Sequence, residues 1–130
     1  MIPVEPCRFT VLPRDWGEEV FIEGNSHYLF KRLDMRAGTK GGLQQHVEKD
    51  ETFYLMSGQA IVRSDAGNGT LVETAMTPGQ AYHIPPGATH QVEAVTDCVF
   101  FEASTPHFDD RVRMEAFYGL PEGGGLPTTR

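Results

Sequence analysis

Hydrophobic and polar positions alternate along most of this chain, in short runs rich in β-formers. Phe9–Leu12 and Glu19–Glu23 come first, then His27–Met35, before "RAGTKGG" interrupts the pattern. Leu43–Val47 follows, and "TFYLMSGQAIVRS" predicts two strands divided by a kink at Gly58. "AGNG" (Ala66–Gly69) is a hairpin signal, and "TLVETAM", "AYHI" and "HQVEAV" continue the series between "TPGQ" and "PPGAT". Cys98–Ser104 is the last strong strand. Asp109–Gly119 reads either as a short helix or as an edge segment, and residues 121–130, rich in Gly and Pro, as a flexible C-terminal tail. Turn signals at about every 8–12 residues predict an all-β fold, a small barrel or sandwich.

Composition narrows this picture. A length of 130 residues suits one domain with a single core. With 39% hydrophobic and 22% charged residues, the chain is globular rather than disordered. A net charge of −7 without a Lys/Arg cluster argues against nucleic acid or an anionic membrane as partner. It leaves room for a local basic pocket that takes a small anion. The opening "MIPVEPCRFT" has neither a basic nor an apolar targeting region, and no run of about 18 apolar residues follows. The expectation is a cytoplasmic protein with Cys7 and Cys98 reduced. The apolar start "MIPVEPCRFTVL" is read as an arm that joins a homodimer, or alternatively as a flap over its own barrel.

The chemistry concentrates in "GGLQQHVEKDETFYLMSG". In a strand, residues two apart share a face, so Gln44 and His46 point together and Gln45 points away. Glu51 opens the neighbouring strand and can face back across the connection. His90 begins a later strand after a Pro/Gly turn. One amide oxygen, two imidazoles and one carboxylate suit a divalent first-row metal: Mn, Fe, Co, Ni or Zn. On an octahedral ion such a set leaves open positions for substrate or water.

The spacing of these residues resembles the two motifs of the cupin superfamily. Gly38, Gln44, His46, Glu51 and Gly58 keep the spacing of the first motif, with Gln44 in place of its first histidine. Gly79, Pro85, Gly87 and His90 keep that of the second, with Ala94 in place of its final asparagine. A closer resemblance is to the cupin domain of type II mannose-6-phosphate isomerases, where a glutamine also replaces that histidine. "GLQQHVEKDE" follows their pattern, with Lys49 in place of an arginine; Trp16–Gly17, Lys31–Arg32 and "DDRVRMEAFYGL" extend the likeness over residues 16–120. Ala116 and Leu120 depart from it, and the nucleotidyltransferase domain often fused to such isomerases is not found in these residues.

The resemblance implies a jelly-roll (double-stranded β-helix) cupin domain over residues 1–120, with its motifs at 38–58 and 79–94. It implies a metal held by Gln44, His46, Glu51 and His90, and a small-molecule substrate, a phosphorylated sugar. The implied reaction is aldose–ketose isomerisation through a metal-stabilised enediolate. Two other readings stand beside it: a metal-dependent dioxygenase, and a non-catalytic cupin that binds a small molecule with the metal structural or absent.

Isomerisation needs a base that moves a proton between adjacent carbons. Glu102, on a core strand, is the favoured candidate; His83 and Glu51 are the others. His83 also reads as a substrate hydrogen-bonder or a rim residue, and Glu102 alternatively as an outward-facing strand residue. Lys31 or Arg32 is the candidate to neutralise a phosphate, and only one of these neighbours can point inward. Lys49, in the hairpin beside Glu51, reads as a solvated turn residue. Arg111 and Arg113 share a face if their segment is extended, and either closes the mouth or forms a surface salt bridge. About half of Phe53, Tyr54, Leu55, Tyr82, Phe100 and Phe101 should face inward by alternation. An amide is a weaker donor than imidazole, so Gln44→His is expected to raise metal affinity and disturb turnover. Titration of the two proteins with metal checks this; equal affinities would rule out coordination by Gln44.

Overall fold

A computed structural model describes residues 1–121. The expected tail, apart from Pro121, lies outside the described residues. Eleven strands make up half of the described residues: β1 (Thr10–Arg14), β2 (Gly17–Gly24), β3 (Leu29–Met35), β4 (Gln44–His46), β5 (Glu51–Ser57), β6 (Ala60–Asp65), β7 (Leu71–Met76), β8 (Ala81–Ile84), β9 (His90–Ala94), β10 (Cys98–Ser104) and β11 (Arg111–Arg113). They form a six-stranded sheet, β1-β2-β3-β10-β5-β8, and a five-stranded sheet, β11-β4-β9-β6-β7, in which the pairings are antiparallel. The architecture is the expected all-β jelly roll, built as two facing sheets rather than one closed barrel.

The core lies between the sheets. Leu33, Phe53, Leu55 and Phe100 meet Ala60, Val62, Met76 and Ala94 from the opposite side. Alternation produces this arrangement: β3 buries Leu29, Lys31, Leu33 and Met35, and β10 buries Cys98, Phe100, Glu102 and Ser104. The register places Phe100 opposite both Leu33 and Leu55, and Glu102 opposite both Lys31 and Phe53. The inward rows are therefore apolar at one end of the sandwich and charged at the other. Of the large apolar residues singled out from sequence, Phe53, Leu55 and Phe100 are buried and Tyr54 is exposed. Tyr82 is half-buried and stacks on Phe53, while Phe101 stacks on Phe30 at the outer surface.

Gly58 does divide two strands. Its φ of 95° lies in the left-handed region, and a Cβ there would sit 2.2 Å from the Asp97 carbonyl oxygen. Glycine is thus required twice, by conformation and by space, and the turn fixes how β6 crosses to the second sheet. Both readings of Asp109–Gly119 hold in part: β11 is an edge strand, and a 3-10 turn follows at Ala116–Tyr118. The first strand begins at Thr10 rather than Phe9. Residues 1–9 do not fold back as a flap; every one of them is exposed. No described helix is long and apolar enough to cross a membrane.

Candidate metal centre

Three strands deliver the donors. Gln44 and His46 both point inward from β4, Glu51 opens β5, and His90 opens β9 directly opposite Gln44. Ligand atoms of His46, Glu51 and His90 all lie within 4.8 Å of one another, and these residues are buried. His90 Nε2 is 3.1 Å from Glu51 Oε1, and His46 Nε2 is 3.5 Å from the same oxygen. The second distance is too long for a good hydrogen bond. His46 Nε2 and Gln44 Oε1 have no hydrogen-bond partner although both are buried. Unmatched buried polar atoms are costly, and here two of them come from the strand that the sequence assigns to a metal. Gln45 faces away, as alternation requires, toward the Thr89 hydroxyl.

Both imidazoles are held by their other nitrogen. His90 Nδ1 lies 2.9 Å from the Ala88 carbonyl oxygen, which only accepts, so Nδ1 carries the proton and Nε2 is left to bind. His46 Nδ1 lies 3.1 Å from Asp110 Oδ1, which does the same for it. Such partners orient metal-binding histidines and raise their basicity. The other oxygen of Asp110 accepts the backbone N–H groups of Glu48 and Lys49, each at 2.8 Å. Burial disfavours the Asp110 anion, but these two N–H groups and His46 outweigh it and lower its pKa.

Electrostatics favour positive charge among the donors. Burial alone would raise the Glu51 pKa; the imidazoles of His46 and His90 beside it, with the nearby Lys49, hold it well below the usual carboxylate value. Burial alone would lower that of His90; the Glu51 carboxylate outweighs it and raises it. The donor set, its tautomers and its charge fit a divalent first-row ion.

Behind the donors lies a line of buried charge. Lys49 Nζ is 3.2 Å from Glu51 and 3.3 Å from Glu102. Lys31 Nζ is 3.0 Å from Glu102 and 3.0 Å from Glu19, and Arg14 closes the line on Glu19 at 2.7 Å. Lys49 is therefore not a solvated turn residue: its side chain is 0% exposed. Burial disfavours its ammonium, but Glu102 and Glu51 outweigh this and raise its pKa. Sequence reading placed Lys49 in a polar connection, where lysines are solvated; two buried carboxylates draw it inward instead.

Glu102 faces inward, and of the two basic neighbours Lys31 enters while Arg32 stays outside, paired with Asp34. The structure does not bring His83 to the cluster: its side chain is 61% exposed and pairs with Asp50 at 2.7 Å. The reason is parity, since Ile84 is the inward residue at the end of β8. A cavity of about 40 Å³ is lined by Gln44, Glu51, His90 and Glu102, with apolar walls that include Leu33, Phe53 and Phe100.

Two facing antiparallel sheets around a mixed N/O donor set define a jelly roll with a candidate metal site. Comparison with known proteins supplies the family: the Cupin domain matches residues 31–103, more than half of the chain, and the protein belongs to the cupins. Among curated relatives, a putative mannose-1-phosphate guanylyltransferase of Vibrio cholerae is 31% identical over 80 residues, covering 62% of this chain and 16% of its own length. A mannose-1-phosphate guanylyltransferase of Salmonella muenchen is 26% identical, covering 84% of this chain and 23% of its own. The chain thus spans less than a quarter of the length of these relatives.

Among solved structures, the capsular polysaccharide assembling protein CapF of Staphylococcus aureus superposes with a TM-score of 0.71 at 22% identity, over 82% of this chain and 34% of that one. KdgF of Halomonas sp. gives 0.63 at 19% identity, over 72% of this chain and 82% of its own. At these identities the likeness is one of fold.

Sequence reasoning missed Asp110, which is 64 residues from His46 in the chain. "DDRVR" was part of the family likeness, but nothing local connects it to a histidine on another strand. Asp110→Ala is expected to weaken metal binding by about 10- to 100-fold. Isothermal titration of the variant with Mn or Zn, against wild type, measures the change; an unchanged affinity would show that Asp110 does not orient His46.

Proposed function

We propose that this cupin is a metal-dependent isomerase of a small phosphorylated sugar, moving a proton between carbons next to a carbonyl. One observation carries the reading: the same small cavity is lined by the donors Gln44, Glu51 and His90 and by the buried carboxylate of Glu102. A divalent ion held by Gln44, His46, Glu51 and His90 would supply Lewis acidity toward the carbonyl and its neighbouring hydroxyl. Glu102, which lines the same cavity, would take the proton from carbon 2 and return it to carbon 1. Lys31 stands behind Glu102, outside the cavity wall, and holds it with a 3.0 Å ion pair. Lys49 ties Glu102 to Glu51 and so fixes the base relative to the metal donors. Apolar walls keep water scarce around the proton in transit. The phosphosugar class is supported by the motif likeness to mannose-6-phosphate isomerases and by relatives named for mannose 1-phosphate.

A cavity of about 40 Å³ admits water-sized groups, so only the reacting end of a sugar enters it. The test is conversion of mannose 6-phosphate to fructose 6-phosphate by Mn-loaded protein, with solvent deuterium entering at carbon 1 of the product. Glu102→Gln is expected to lower the rate by about 10²-fold or more while metal affinity is retained. Glu102→Asp, which keeps the charge that Lys31 and Lys49 need, controls for folding. Oxygen uptake by the iron-loaded protein would replace this reading with a dioxygenase. Tight sugar binding with no exchange at carbon would replace it with a binding cupin.

The homodimer belongs to the same proposal. Ile2, Val4 and Phe9 are exposed on the segment before β1, and Val11 is exposed on β1 at the sheet edge. Such a segment is an aggregation hazard unless a second copy takes it. Removal of residues 1–9 is expected to convert a dimer to a monomer by light scattering; a monomeric full chain would refute the assignment.

A further inference from the structure

We infer that Arg111 and Arg113 form an anion subsite at the rim of the metal cavity, which takes the phosphate of the substrate. The substrate part of this rests on the isomerase reading; the subsite itself stands on β11. That strand pairs with the metal strand in a register that sets Arg111 opposite His46 and Arg113 opposite Gln44. Residues directly opposed in an antiparallel pair project from the same face, with Cα atoms about 4.5–5.5 Å apart. His46 and Gln44 point inward, so the two arginines point the same way, one strand further toward the edge of the sheet. Val112 between them lies opposite Gln45 and is exposed, as the alternation demands.

Gly42 gives an independent sign. Its φ is outside the left-handed region, so its backbone would suit any residue. The guanidinium of Arg113 packs against it: a Cβ on Gly42 would stand 2.7 Å from Nη1 and 3.2 Å from Cζ. Gly42 itself lines the cavity. The guanidinium of Arg113 therefore packs against a residue of the cavity wall. Glu115 holds it there from the Nε side, at 3.5 Å, while its other oxygen accepts the Leu43 N–H at 3.1 Å. The side chains of Arg113 and Glu115 are 30% and 3% exposed, so the acid is buried under the base and the base reaches solvent.

Size and charge then place the anion. The cavity is too small for a sugar and its phosphate together. The interior ammonium groups of Lys31 and Lys49 are buried and each lies against two carboxylates. A phosphate monoester left at the rim meets a pair of guanidinium groups beside the metal strand, and guanidinium binds phosphate through paired N–H donors.

The experiment titrates Mn-loaded protein with inorganic phosphate, mannose 6-phosphate and mannose. Arg111→Gln and Arg113→Gln are each expected to weaken both phosphate ligands by roughly tenfold or more. Binding of mannose and of Mn should not change. Lys40→Gln, which removes an exposed cation on the adjoining loop, should leave phosphate binding as in wild type. Arg113→Lys keeps the pair with Glu115 and should still weaken phosphate, because an ammonium lacks the forked donors. The subsite is overturned if wild type binds no phosphate, or if the arginine variants bind it equally well. Arginine-dependent phosphate binding without isomerisation would leave the subsite standing and remove the isomerase reading. Isomerisation with a KM that the arginine variants do not raise would do the reverse.

Discussion

Every charged group taken between these two sheets must meet an opposite charge, and most of the interior follows from that requirement. An unpaired ion in such a place costs several kcal/mol, and removing one partner of a buried pair costs about 3–5 kcal/mol. The chain meets the demand with a line that alternates in sign: Arg14, Glu19, Lys31, Glu102, Lys49 and Glu51. At one end Arg14 reaches toward solvent; at the other Glu51 faces His46 and His90. Because each member is held by its neighbours, the metal donors and the carboxylate offered as base are fixed relative to one another. Well-packed apolar residues would give equal or greater stability in the same volume. The retention of six charges along one line is therefore better explained by what the site does than by what the fold needs.

A second constraint comes from the C-terminal end of the described chain. Residues 110–115 fasten the metal strand from outside: Asp110 fixes the His46 tautomer and accepts two backbone N–H groups, β11 adds a strand beside β4, and Glu115 accepts the Leu43 N–H. Asp109, with a φ of 57°, makes the turn that delivers Asp110. Aspartate tolerates this left-handed conformation better than most residues. The strand of three residues that carries Gln44 and His46 is too short to set its own geometry, and these contacts supply what it lacks. They also set Arg111 and Arg113 opposite His46 and Gln44, so one segment links metal geometry to the proposed anion subsite.

Gln44 differs from the residue most cupins place there, and the surroundings show what the change does. The amide adds no charge and needs no proton removed, so it lets the charge balance rest on Glu51 and the two lysines. Its oxygen is buried without a hydrogen-bond partner. As a ligand, a neutral, weaker donor at that position would leave a bound ion more electron-poor, which would suit polarising a carbonyl better than tight retention of the metal.

By itself the sequence determined the strand pattern, the division at Gly58 and the grouping of His46, Glu51 and His90 as a candidate metal site. These depend on short-range properties: a period of two, turn chemistry, and spacing within two motifs. It also placed Glu102 and Lys31 on strands, while leaving open which way they faced. Tertiary structure decided the rest. Lys49 sits in a polar connection whose local pattern says solvent, and only the carboxylates of Glu51 and Glu102 explain its burial. His83 lies on a predicted strand, but the burial of Ile84 sets the parity that turns it outward. Asp110 reaches His46 across 64 residues of chain, and Arg111 and Arg113 gain meaning from a register with β4 that no local signal encodes. Periodicity fixes which residues share a face; the free energy of pairing buried charges and polar groups over long loops decides which face is the inside.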